Sequence, residues 1–255
     1  MQWSFGIMNP DKHCFVLIRG LFREKRHWGE FVHILQEQYP NADIFTLDIP
    51  GNGCFFQQTS PNTIAEYTDT LRQQLAGRNN LNLIALSMGG MIALDWMSRF
   101  PTEIKSAVLV NTSVRPHAPF FQRLRWQNYP AIFRMFFATP EQMEQQILYL
   151  TSNEHRENKV LLEKWQQWRK QKPISGASRL NQLLAAAKFS MHLKPLHPIL
   201  IISAKNDQLV NYRCSLKLHQ LWQIDYQQHD TAGHDLPLDD PQWLTQTIHR
   251  WLLTI

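Results

Sequence analysis

The sequence predicts an α/β fold: a mostly parallel central sheet with helices on both faces and a helical lid inserted into it. Three observations carry this prediction. Short apolar, β-branched runs alternate strictly with amphipathic helical patterns as far as Val110; between Ser113 and Lys194 only helical periodicity is found; and the alternation resumes at Ile199. Strands joined by helices run parallel and are covered on both faces. A long stretch without strands supplies nothing to the sheet and sits on it as a cap. The expected boundaries are a core of residues 1–112 and 195–255 and a lid of residues 113–194.

The elements follow in order. Cys14 to Ile18 (CFVLI) is a buried strand closed by Arg19-Gly20. Trp28, Phe31, Val32 and Leu35 then recur at helical spacing until Tyr39-Pro40 stops them. A strand from Asp43 to Leu47 meets the turn Pro50-Gly51-Asn52-Gly53, and a helix is expected from Thr63 to Ala76. The strand Leu81 to Leu86 passes directly into a helix that runs to Phe100, and the strand Ile104 to Val110 closes this half. In the inserted region helical patterns cover Phe120 to Phe137, Pro140 to Leu150, Glu154 to Arg169 and Ala177 to Met191. A strand at Ile199 to Ile202, a helix at Tyr212 to Leu221, a strand near Gln223 to Gln227 and a helix at Pro241 to Leu253 complete the chain.

With 255 residues, 44% of them hydrophobic, the chain can bury a sizeable core, which excludes a disordered tail or a disulfide-built miniprotein. Cys14, Cys54 and Cys214 are odd in number and match no disulfide or zinc framework, so they are expected as reduced thiols of a cytoplasmic protein. The opening MQWSFGIMNPDK lacks a basic start followed by an apolar run, and no stretch approaches the roughly 20 apolar residues of a membrane helix, so no membrane span is expected. No His, Cys and carboxylate group has metal-ligand spacing, and no phosphate loop or dinucleotide fingerprint is present, so neither a metal nor any other cofactor is predicted. The net charge of +5 does not by itself call for nucleic acid. Its distribution is uneven: residues 113–194 hold thirteen Lys and Arg against five Glu, a net +8, and the remainder carries −3.

The sharpest chemical signal is Ala85-Leu86-Ser87-Met88-Gly89-Gly90, where a buried strand turns at once into a helix. Serine on such a turn projects its hydroxyl above the carboxyl edge of the sheet, and Ala85 and Gly89 supply the small neighbours the close approach requires. A serine needs a base and an orienting carboxylate to act as a nucleophile. Asp207 follows the strand at Ile199, and His234, in Thr231-Ala232-Gly233-His234-Asp235, follows the next strand. Asp230 and Asp235 are too near His234 in sequence to support it, and Asn111 cannot carry the charge. The chain order Ser87, Asp207, His234 is one of three orders in which serine triads occur. The amides of Met88 and of Leu21, in the loop after the first strand, are the candidate oxyanion donors. Asp48 is expected to serve the turn at Pro50 to Gly53, and Cys54 to be a loop thiol.

These residues resemble the α/β-hydrolase superfamily in its small, lid-containing esterase branch. The resemblance covers nearly the whole chain, through the turn ending at Gly20, Leu47-Asp48-Ile49-Pro50-Gly51-Asn52-Gly53, Ser87, Asp207-Gln208-Leu209-Val210 and Gly233-His234 to Pro241. It implies a Ser-His-Asp hydrolase with a lid inserted after Val110. Departures are Arg19 where the family usually has His, Ala85 where it has Gly, and Cys54 where a serine is common; the segment before Cys14 is also shorter than the usual leading strand pair.

The expected function is cofactor-independent hydrolysis of an acyl ester or thioester by Ser87, His234 and Asp207. Gly20, Phe120, Phe121, Phe136 and Phe137 are candidate substrate-pocket residues, and Arg115, Arg123, Arg125 and Arg134 form either a solvated face or a docking surface for an acidic acyl carrier protein. Arg19, also counted among the substrate-binding candidates, would serve an anionic substrate if the same triad cleaved a carbon–carbon bond or acted as a lyase of the menaquinone-pathway type. A non-catalytic binding protein on this fold is the alternative from another class; the complete triad argues against it.

Overall fold

A computed structural model describes residues 12–75 and 77–255. Most of the short leader before Cys14 and the last residue of the helix expected at Thr63 to Ala76 lie outside the described residues. Six strands form one sheet in the order β2-β1-β3-β4-β5-β6, every neighbouring pair parallel. They are β1 (Cys14–Ile18), β2 (Asp43–Leu47), β3 (Leu81–Leu86), β4 (Ile104–Val110), β5 (Ile199–Ala204) and β6 (Asp225–His229). The helices between them are α1 (Phe31–Gln38), α2 (Ile64–Gln74), α3 (Met88–Arg99), then α4 (Phe120–Arg123), α5 (Tyr129–Met135), α6 (Pro140–Thr151), α7 (Lys159–Gln171) and α8 (Gly176–Lys188) between β4 and β5, and finally α9 (Arg213–Trp222), α10 (Leu236–Asp239) and α11 (Pro241–Leu252).

Both faces of the central strands are apolar because each has a helical layer to meet. Phe15, Leu17, Ile84, Leu86, Val108, Val110, Leu200 and Ile202 pack with Phe31 and Leu35 of α1 and Leu244 and Ile248 of α11. Their alternate neighbours Val16, Ile18, Leu83, Ala85, Leu109 and Ile201 pack with Tyr67 and Leu71 of α2, Ile92 and Trp96 of α3 and Leu218 of α9. The chain moves from β1 outward to β2, then returns across β1 to β3. That reversal places a crevice outside the carboxyl ends of β1 and β3, where open parallel sheets bind ligands.

Gly89 marks how closely α3 approaches β1: a Cβ there would lie 2.3 Å from the Ile18 carbonyl oxygen and 2.9 Å from that of Arg19. Both are backbone atoms, so the helix itself must shift. Gly89→Ala is therefore expected to lower stability by about 1 to 3 kcal/mol, read as a fall in denaturation midpoint at unchanged slope. A midpoint equal to the parent's would contradict the close approach.

The strand ends expected for β1 to β4 are those observed. Other boundaries moved for local reasons. The single helix expected from Phe120 to Phe137 is broken into α4, a 3-10 turn at Trp126–Asn128 and α5. Leu124 is extended at φ −140° and ψ 111°, Arg125 N–H donates to the Leu209 carbonyl at 2.9 Å, and Pro130 sits in the first turn of α5, where its missing N–H is harmless. Helix α7 starts at Lys159 rather than Glu154 because the Asn158 side chain caps it, accepting from Leu161 N–H at 3.0 Å. Strand β6 begins two residues late because Gln223, left-handed at φ 52°, ends α9.

Candidate active site

Ser87 occupies the single residue between β3 and α3, at φ 59° and ψ −119°. This is a strained conformation for a residue with a Cβ, and it is held by both neighbours of its peptide: Ser87 N–H donates to the Val110 carbonyl at 2.9 Å and the Thr112 hydroxyl donates to the Ser87 carbonyl at 2.9 Å. Gly20 passes directly over it, since a Cβ on Gly20 would lie 2.9 Å from Ser87 Cβ and 3.4 Å from its Oγ. The loop after β1 thereby reaches the serine only because residue 20 has no side chain.

Asp207 and His234 come from the loops after β5 and β6. His234 Nδ1 donates to Asp207 Oδ2 at 2.7 Å, with Asp207 1% and His234 5% exposed. The other carboxylate oxygen, Oδ1, accepts Leu209 N–H at 2.7 Å and Val210 N–H at 2.9 Å, so the acid is fixed before it meets the ring. Ser87 and His234 line one apolar cavity of about 70 Å³. Ser87 also lines a second, larger cavity of about 710 Å³ together with Leu21 and Met88. Among the described residues, neither the Leu21 nor the Met88 amide donates to a protein group.

Asn111 is a site residue that the sequence did not single out for a role. At φ 47° it ends β4, accepts Ala204 N–H at 2.7 Å and donates to the His234 carbonyl at 2.8 Å. It joins the loops that carry Asp207 and His234. Its position after a buried strand was the one signal available.

Arg19 does not present a free charge. Its guanidinium forms a bidentate pair with Asp235 at 2.9 and 2.5 Å, both residues buried, and it stacks 5.0 Å from the Trp28 ring centroid. The cation expected for an anionic substrate instead ties the loop after β1 to the residue following His234. Phe120 lines the larger cavity. Phe121, Phe136 and Phe137 line neither: Phe121 packs edge-on against Phe120, Phe136 meets the Arg179 guanidinium, and Phe137 is 78% exposed. The apolar walls come from Leu124, Ile132, Met135, Ile147 and Leu183. Of the arginines, Arg115 and Arg123 reach the larger cavity. Asp48 serves its turn as expected, accepting Cys54 N–H at 2.8 Å and Lys25 N–H at 2.7 Å.

Among the described residues no cluster of three or more His, Cys, Asp or Glu is placed to hold a metal, and no helix is long and apolar enough to cross a membrane.

A family model described as the alpha/beta hydrolase fold matches residues 14–241. A pimeloyl-[acyl-carrier protein] methyl ester esterase of Chromobacterium violaceum is 31% identical over 101 residues, covering 36% of this chain and 38% of that protein. A biotin biosynthesis bifunctional protein of Teredinibacter turnerae is 29% identical over 107 residues, 41% of this chain and 18% of that one. The chain thus spans well under half the length of the curated relatives it matches. Among solved structures, a thermophilic esterase of Thermogutta terrifontis superposes with a TM-score of 0.75 at 20% identity, over 95% of this chain and 90% of that one. An enol-lactonase of Burkholderia xenovorans superposes at 0.77 and 19% identity, over 97% and 94%. At these identities the likeness is one of fold.

Proposed function

This chain belongs to the alpha/beta hydrolase fold family, and from that premise we propose that it hydrolyses a carboxylic ester or thioester through an acyl-enzyme formed on Ser87. The observation that carries the reading is the buried His234–Asp207 pair at 2.7 Å sharing a cavity with a serine held in a strained turn. In this mechanism His234 Nε2 takes the Ser87 proton as Oγ attacks the carbonyl carbon. Asp207 keeps the other ring proton on Nδ1 and stabilises the imidazolium. The Leu21 and Met88 amides, the latter at the positive end of α3, receive the oxyanion. His234 then gives its proton to the leaving group, and water activated by the same ring releases the acid.

The two cavities suggest how the substrate divides. The leaving oxygen must reach His234, which lines the smaller cavity. An apolar cavity of about 150 Å³ accepts benzene, so about 70 Å³ suits a leaving alcohol of only a few heavy atoms. The acyl part then lies in the cavity of about 710 Å³, whose wall includes Arg115 and Arg123. A methyl ester of an acyl chain on an acidic carrier protein fits this division, and the relative from Chromobacterium violaceum bears a name of that kind. With Arg19 paired to Asp235, the carbon–carbon cleavage alternative loses the free cation it relied on.

The test is a matched series: methyl, butyl and hexyl esters of one medium-chain acid, free and on acyl carrier protein, beside labelling by a fluorophosphonate read by intact mass. Methyl esters are expected to turn over at least tenfold faster than hexyl esters, with a single adduct on Ser87. Folded protein that takes no adduct and hydrolyses none of the series would overturn the reading.

A further inference from the structure

The loop Gly20 to Glu24 is held by the inserted helices through a closed circuit of buried polar groups. Phe22 is left-handed at φ 62° without being glycine. Its N–H donates to Gln182 Oε1 of α8 at 2.9 Å, and its carbonyl accepts from the Arg169 guanidinium of α7 at 2.6 Å. Arg169 Nε also bonds Glu144 Oε1 of α6 at 2.7 Å, and the other Glu144 oxygen takes Arg23 at 2.7 Å. Gln182 Nε2 reaches Asn52 Oδ1 at 2.9 Å and Ser60 Oγ at 3.0 Å, and Asn52 in turn donates to the Arg23 carbonyl at 2.7 Å.

All of these side chains are buried, and Glu144 and Gln182 fully so. Burial opposes the Glu144 charge, but the flanking Arg23 and Arg169 outweigh it and hold the carboxyl below its ordinary range. A buried ion triad gains little net stability over apolar side chains of the same size. Apolar packing would attach the helices as well, so the circuit calls for another role.

That role follows from peptide geometry. The Gly20 carbonyl accepts the Arg23 N–H at 3.4 Å, closing a turn with Phe22 at its left-handed position. The Leu21 N–H belongs to the same trans peptide as the Gly20 carbonyl and so points the opposite way. If Phe22 left its left-handed conformation the turn would open and that N–H would rotate. Gln182 and Arg169 bond the two peptide groups on either side of Phe22.

We propose that Gln182 and Arg169, with Glu144 aiming the latter, are positioning residues that fix the Leu21 amide as an oxyanion donor. The inserted helices α6 to α8 are then part of the donor's support and not a detachable cover. This rests on the reading of Ser87 as the nucleophile.

The test compares the parent with Gln182→Met and Arg169→Lys on a p-nitrophenyl ester, using an acyl trifluoromethyl ketone as tetrahedral mimic and the matching methyl ketone as ground-state mimic. Misplacement of a catalytic group by about 1 Å costs up to roughly 100-fold, and loss of a donor about 100- to 1,000-fold. Each variant is expected to lose about 10- to 100-fold in kcat, with KM within about threefold. The inhibition constant of the trifluoromethyl ketone should rise by the same factor while that of the methyl ketone stays within about threefold. Variants that melt earlier yet keep kcat and both inhibition constants would overturn the proposal, as would failure of both to fold, since the circuit would then be a stability element. Arg169→Lys keeps a positive charge beside Glu144 and carries the test if Gln182→Met alone does not fold. A parent that neither turns over the ester nor forms an adduct with the trifluoromethyl ketone overturns the Ser87 reading itself.

Discussion

Ser87→Ala is expected to lower kcat by roughly 10⁴- to 10⁶-fold while leaving the folded state intact. The stability half of this result is as specific as the catalytic half. The Ser87 peptide is held by the Val110 carbonyl and the Thr112 hydroxyl, and alanine keeps both bonds. No hydrogen bond from the Ser87 side chain is made among the described residues, so its removal orphans no partner. The backbone strain at φ 59° remains, because alanine also carries a Cβ. Ser87→Gly removes that strain as well, and strain of this type costs of order 1 to 3 kcal/mol. Glycine's greater freedom in the unfolded chain offsets part of the gain, so Ser87→Gly should melt at or above the Ser87→Ala temperature while being equally inactive. Steady-state kinetics with a p-nitrophenyl ester and calorimetric melting read both halves. Residual activity within tenfold of the parent would remove Ser87 from the mechanism.

What the sequence disclosed and what it withheld divide along a physical line. The strands β1 to β4 were legible from their apolar and β-branched residues, and the polar Asn82 of β3 and Ser106 of β4 are buried as a pair, the Ser106 hydroxyl donating to Asn82 Oδ1 at 2.8 Å. The candidates Ser87, Asp207 and His234 stood out in the sequence because each follows a separate strand, β3, β5 and β6, of one parallel sheet. Pairings between side chains far apart in the chain left no periodic trace. Arg19 reads in the sequence as a substrate-binding candidate and Asp235 as an acid too near His234 to support it; they lie 216 positions apart, and only the fold shows them bound to each other. The helical pattern over Phe120 to Phe137 was real in composition, but Leu124 extends and the Arg125 N–H bonds the Leu209 carbonyl beside Asp207. Tertiary bonding there outweighs local propensity.

That last contact belongs to a wider set that reaches three loops. The segment around α4 and α5 also bonds the acid loop through Asn128, which donates to the Gln208 carbonyl at 2.7 Å. The end of α6 holds the histidine loop, as Asp235 N–H donates to the Thr151 carbonyl at 2.7 Å and Asn153 to the Thr231 carbonyl at 2.8 Å. The later helices hold the loop after β1 through Gln182 and Arg169. The loops after β1, β5 and β6 are therefore each bonded to the segment between β4 and β5. Changes in the inserted helices should be felt at the chemical centre even where they touch no substrate.

Asp207→Asn is expected to lower kcat by about 10⁴-fold with KM nearly unchanged. Asparagine matches aspartate in shape, and its amide oxygen can keep accepting the Leu209 and Val210 amides that Asp207 Oδ1 accepts at 2.7 and 2.9 Å. The amide NH₂ then occupies the place of Oδ2, 2.7 Å from His234 Nδ1. Two N–H groups cannot face each other at that distance, so Nδ1 must become the acceptor and the ring proton moves to Nε2. A ring protonated there cannot take the Ser87 proton. The His234 carbonyl stays bonded to Asn111 at 2.8 Å, so the loop stays in place and the defect is one of tautomer. Asp207→Ala differs: it orphans the half-buried Leu209 N–H and the buried Val210 N–H as well, the latter at about 1 to 3 kcal/mol, and should melt well below both parent and Asp207→Asn. Nitrogen-15 NMR of the His234 ring distinguishes the cases, with the proton on Nδ1 in the parent and on Nε2 in Asp207→Asn. A His234 ring spectrum in Asp207→Asn like the parent's, with kcat within tenfold, would mean that another group orients the histidine.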